Sequence, residues 1–96
     1  MPVIARFYGI IAKMYLLGSE HNPPHIHFLY GDYNAVVDLN QLKITEGDLP
    51  TRASAMALEW TEKYQAELID MWNTQEFRKL PPPSPVLRFL RKKSDS

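Results

Sequence analysis

Seven consecutive positions, His21-Asn22-Pro23-Pro24-His25-Ile26-His27, hold all three histidines of this chain and two of its eight prolines. Imidazole is the side chain whose ordinary pKa lies closest to neutral pH, and it is also a common ligand of divalent metals. Proline holds its own φ at about −65° and pushes the residue before it toward extended geometry, so the segment entering His25 is expected to be stiff. The alternation His25-Ile26-His27-Phe28 then reads as a β-strand, with both imidazoles on one face and the apolar pair on the other.

Three chemistries fit this cluster, and the residues alone leave all three open. In the first, His21, His25 and His27 bind a divalent metal, with an open position at which water is activated. No HExxH or comparable pattern marks such a site. In the second, the imidazoles act as general acid and base without metal. RNA cleaved through its own 2′-hydroxyl needs a base, an acid for the leaving oxygen and a cation for the phosphate. Arg6 is the candidate cation, and Tyr8, Tyr15 or Tyr30 would donate a proton or offer a stacking surface. In the third, the histidines are structural and lock two strands together through backbone carbonyls.

The elements that position these residues are legible in outline. Residues 3 to 17 are rich in Ile, Tyr, Phe and Leu and read as one long strand or two short ones, with Gly9 as a bulge or bend. Residues 25 to 30 form the next strand, Gly31-Asp32 a turn, and Tyr33 to Leu39 a third strand. Asn40-Gln41 is expected to make a two-residue turn into a short strand, Leu42 to Thr45. Glu46 to Thr51 punctuates the chain, with Thr51 as N-cap or Asp48 in its place and Pro50 in the first helical turn. Beyond it Ala53, Met56, Ala57, Trp60, Tyr64, Leu68, Met71 and Trp72 recur at three- and four-residue steps. That is the apolar stripe of one long helix, or of two broken near Tyr64. The expected fold is α+β, two-layered, with a mostly antiparallel sheet of about four strands followed by C-terminal helices.

Composition narrows the class. Eleven basic and eleven acidic residues cancel, so no global field argues for nucleic acid or membrane as the main partner. With no cysteine in the chain, thiolate metal sites and disulfides are excluded. The opening residues lack a signal-peptide pattern and no window is apolar enough to span a membrane, so a cytoplasmic protein is expected. Residues 1–80 are read as a single α+β domain. Residues 81–96 are a proline-rich stretch, expected in polyproline II, and a basic tail with Arg88, Arg91, Lys92 and Lys93, expected to be flexible.

Several segments together resemble a known family. These are Pro2-Val3-Ile4-Ala5-Arg6-Phe7-Tyr8-Gly9-Ile10-Ile11, then Met14-Tyr15, then the histidine motif. Tyr30-Gly31, Ala35-Val36-Val37-Asp38, Gly47-Asp48-Leu49-Pro50, Trp60 and Trp72 follow in order. The chain is similar over about residues 1–80 to the small bacterial proteins of domain-of-unknown-function family 4160. Members usually carry an aspartate before the first histidine, where this chain has Glu20. The resemblance implies a bacterial cytoplasmic protein encoded beside a small partner of domain-of-unknown-function family 2442, with this chain in the toxin-like place of a toxin–antitoxin pair. It carries over no catalytic residue.

The leading expectation is therefore an RNA-cleaving or RNA-binding toxin-like protein, a candidate endoribonuclease. Its site would be His21, His25, His27, Arg6, Tyr8 and Tyr30, with a divalent metal on the three histidines or no cofactor at all. The alternatives are a non-catalytic protein-binding module with a structural histidine cluster, or a small metal-binding protein.

Overall fold

A computed structural model describes residues 2–15 and 23–83. Five strands, β1 (Val3–Phe7), β2 (Ile10–Lys13), β3 (His25–Tyr30), β4 (Tyr33–Asp38) and β5 (Lys43–Gly47), are followed by α1 (Thr51–Lys63) and α2 (Gln65–Thr74). The strands form one antiparallel sheet in chain order. The expected α+β architecture holds, with one strand more than the four expected. The first apolar stretch is two strands because Tyr8 and Gly9 both have positive φ, 52° and 81°, the signature of a tight hairpin turn whose twist suits its strands.

The sheet has two unlike faces. Phe7, Ile10, Ala12, Ile26, Phe28, Ala35 and Val37 are buried on the inner one, where the Trp60 ring of α1 lies 5.4 Å from Phe7 and 6.1 Å from Phe28. The outer face carries Arg6, Ile11, Lys13, His25, His27, Leu29 and Val36, which the antiparallel registers align. The expected division of β3, histidines on one side and Ile26 with Phe28 on the other, is the observed one.

Two local expectations are corrected. The connection after β4 is a four-residue loop, not a two-residue turn at Asn40-Gln41. Asp38 Oδ1 accepts hydrogen bonds from the backbone N–H groups of Asn40 and Gln41, both at 2.8 Å. Such an Asx-type closure suits a wider loop. Leu42, assigned above to a strand, instead takes φ 56° in that loop. At the start of α1 the capping position is Pro50, with no side-chain cap bond, rather than Thr51 or Asp48. The Pro50 carbonyl accepts the first helical bond, from Ser54 N–H at 2.8 Å.

The apolar stripe belongs to two helices, which meet at Tyr64 (φ −108°, ψ 20°). Gln65 Nε2 donates to the Leu39 carbonyl at 2.7 Å, which ties the start of α2 to the end of β4. After α2 the chain turns at Gln75 (φ 60°) and runs back along β1. Leu80 N–H donates to the Ile4 carbonyl at 2.8 Å, and Trp60 Nε1 donates to the Pro81 carbonyl at 2.9 Å. This strap covers part of an edge strand that would otherwise leave backbone groups free to pair with another chain. No helix among the described residues is long and apolar enough to cross a membrane.

Candidate functional site

His25 opens β3 and His27 follows two residues later, so both project from the outer face with ring centroids 5.1 Å apart. His25 Nδ1 lies 3.0 Å from the Pro23 carbonyl oxygen. A carbonyl can only accept, so Nδ1 carries the proton and Nε2 is the nitrogen left for chemistry. The Trp72 ring of α2 lies against the other side of His25 at 4.7 Å. The Tyr15 ring meets His27 edge-on at 4.1 Å. Lys13 is the in-register neighbour of His27 on β2, which puts their Cβ atoms about 5 Å apart on one face.

Beside the imidazoles lies an open hollow of about 290 Å³, lined by Pro23, His25, His27, Val36, Asp38, Thr45 and Glu46. Asp38 faces His25 across the β3–β4 ladder. It is nearly buried, and one of its oxygens is committed to the loop. Glu46, the in-register partner of Val36, is exposed at the far rim. The pKa of His27 is lowered from its ordinary 6.5, first by burial, then by the neighbouring His25, with Glu46 pulling the other way. Neutral His27 is therefore the favoured form at pH 7.

A pH dependence follows from that sign. The unfolded chain binds the His27 proton more readily than the folded one, so stability increases with pH across the window below 6.5. Acidification from pH 7 to pH 5 is expected to lower the melting temperature. His27→Gln should flatten that slope, because glutamine has no proton to gain; thermal melts of both proteins across this range check it. Equal slopes would show that another group governs the acid response.

The structure brings together only part of the expected site. His25 and His27 converge, and of the three tyrosines considered Tyr15 joins them. Tyr8 sits in the β1–β2 turn and Tyr30 beside the β3–β4 turn, at the opposite end of the sheet from His25. Tyr30 shares the parity of Phe28 on the inner face, and along β3 it lies roughly 17 Å from His25 at extended-strand rise. Arg6 pairs with Ile11, which pairs with Leu29. It thus lies two strands over and two residues along, roughly 12 Å from His27 by strand spacing. His21 lies outside the described residues. Among the described residues no group of three histidine, aspartate or glutamate side chains is arranged to hold a metal ion.

Lys13, Trp72, Asp38, Thr45 and Glu46 were not among the expected site residues. They come from four other elements and meet the histidines only through strand register and the return of α2. No local spacing signals such neighbours.

With that geometry in place, the sequence aligns to one described family, Domain of unknown function (DUF4160), over residues 9–73. The chain belongs to that family. The family region spans β2 to β5, His21, His25, His27, all of α1 and all but the last residue of α2, and omits β1 with Arg6 and the strap after α2. No curated protein and no solved structure matches the chain.

Proposed function

We propose that this chain is the toxin-like member of a bacterial two-gene module and cleaves RNA at the His25–His27 pair. The observation that supports it is the pairing itself: two adjacent imidazoles on an outer sheet face, over a hollow, with His25 Nε2 free and Lys13 alongside. RNA carries its own nucleophile, so the protein needs to move two protons and steady one charge. Neutral His27 takes the proton of the 2′-hydroxyl, whose oxygen attacks the adjacent phosphorus. His25 acts as the imidazolium, so the 5′-oxygen leaves with the Nε2 proton while Nδ1–H stays on the Pro23 carbonyl, and Lys13 offsets charge on the phosphoryl oxygens. The products are a 2′,3′-cyclic phosphate and a 5′-hydroxyl, and a second proton transfer restores the pair. The partner protein implied by the family resemblance would silence the site by covering the hollow.

Purified protein incubated with end-labelled RNA in excess chelator is expected to give fragments ending in cyclic phosphate, and induced expression to arrest growth. Cleavage only after a divalent ion is added back would move the site to metal-assisted chemistry through the histidines. Intact RNA and normal growth would leave the second reading, a protein-binding module with structural histidines. The observation favouring that reading is that His25 is held on two sides, by the Pro23 carbonyl and the Trp72 ring.

A further inference from the structure

At the β1 edge a second hollow, of about 150 Å³, is lined by Val3, Ile4, Ala5, Arg6, Lys79 and Leu80. Its two charged side chains are both cationic and exposed, and neither makes an ion pair among the described residues. Their proximity is built by the fold: the Leu80 N–H bond to the Ile4 carbonyl pins the strap to β1, which sets Lys79 beside Arg6. Trp60 fixes the same strap from the other side through the Pro81 carbonyl. Two like charges held against one hollow without a carboxylate leave a place that an anion stabilises.

The position of this hollow relative to the histidines identifies the anion. Arg6 shares the outer face and its register with Ile11 and Leu29, which lead across the sheet toward Lys13 and His27. Ile11 and Leu29 are half-buried and give that path an apolar floor. A cationic hollow, an apolar floor and a third cation, Lys13, beside a candidate phosphoryl-transfer site form a track for an extended polyanion, as in grooves that follow a single-stranded backbone.

We propose that Arg6 and Lys79 bind a backbone phosphate of single-stranded RNA outside the scissile linkage, so that the substrate crosses the outer face from β1 to the His25–His27 pair. This rests on the RNA reading above and deepens it. It also gives the strap a function: it assembles a substrate contact from two segments that flank the family region.

The test measures binding of a fluorescein-labelled 2′-O-methyl uridine octamer, which lacks the nucleophile and stays intact, by anisotropy from 50 to 300 mM salt. Arg6→Gln/Lys79→Gln is compared with the wild type, with melting curves confirming that both are folded. Single-strand binding loses about 0.7 in the log–log salt slope for each phosphate no longer neutralised, so the double variant, which gives up one, is expected to be shallower by about 0.7. An unchanged slope in the double variant, or no binding by the wild type, overturns the proposal. The two readings fail separately. An Arg6- and Lys79-dependent slope without cleavage of ordinary RNA removes the reaction assigned to the histidines and leaves this contact standing. Cleavage with an unaltered slope does the reverse.

Discussion

Replacing His27 by alanine is expected to lower RNA cleavage by about 10² to 10⁴-fold, the usual contribution of one positioned proton-transfer group. The fold should persist, because His27 is only partly buried and its side chain anchors no backbone group among the described residues. Its loss also removes an imidazole that burial makes costly to protonate, so the variant should resist acid better than the wild type. Added imidazole should restore part of the rate through the space left on the outer face. His25→Ala is a different case. It deletes the hydrogen bond to the Pro23 carbonyl and the contact with Trp72, so a loss of about 1–2 kcal/mol accompanies the loss of rate. Rates and urea melts of the two variants therefore separate a catalytic pair from a structural one. Full activity in His27→Ala would rule out the assigned base, and a large destabilisation in both with no cleavage to lose would make the cluster architectural.

The difference between these two histidines shows where sequence reading stops. The alternation His-Ile-His-Phe sorts β3 into faces correctly, because a strand has a period of two and one face of this sheet is buried. The helical stripe likewise names the buried apolar residues of α1 and α2, Trp60 and Trp72 among them, but not the buried Thr61, whose hydroxyl donates to the Ala57 carbonyl. The break at Tyr64 was readable as one of two options. Which other side chains reach the imidazoles was not readable, because that depends on register. Lys13 faces His27 only because β2 and β3 pair in the register that sets Ile10 opposite Tyr30 and Ala12 opposite Phe28. Trp72 looked like an ordinary stripe residue, yet α2 carries it to the edge of the site. Arg6 and Tyr8 are near each other in sequence but diverge in the fold, since one lies on the outer face and the other in a turn. The loop after β4 departs from a two-residue turn for a local reason. Asp38 ends β4 as expected, but its carboxylate also closes the following loop and places Leu42 outside the ladder.

Trp60→Ala is expected to cost about 4–6 kcal/mol, the sum of a large-to-small core change and a lost hydrogen bond. The Trp60 ring is almost fully buried. It touches Phe7 and Phe28 on the inner face and lies 5.6 Å from Tyr64 at the helix junction. Removing it separates the helical layer from the sheet at the centre of their contact. A domain of this length has a total stability of about 5–14 kcal/mol, so the alanine variant should be close to unfolding at 25 °C, as urea titration would reveal. Trp60→Phe separates the two contributions. The ring volume mostly survives, but the indole donor to the Pro81 carbonyl is lost. Pro81 is exposed and water can take the donor's place, so about 1 kcal/mol is expected. The strap would lose one of its two anchors beyond Arg78, keeping the Leu80–Ile4 bond, and Lys79 would be less firmly held beside Arg6. If Trp60→Phe instead proves as damaging as Trp60→Ala, the indole–strap bond rather than the buried ring holds the two layers together. The residues after α2 would then be as integral to the core as the helices they follow.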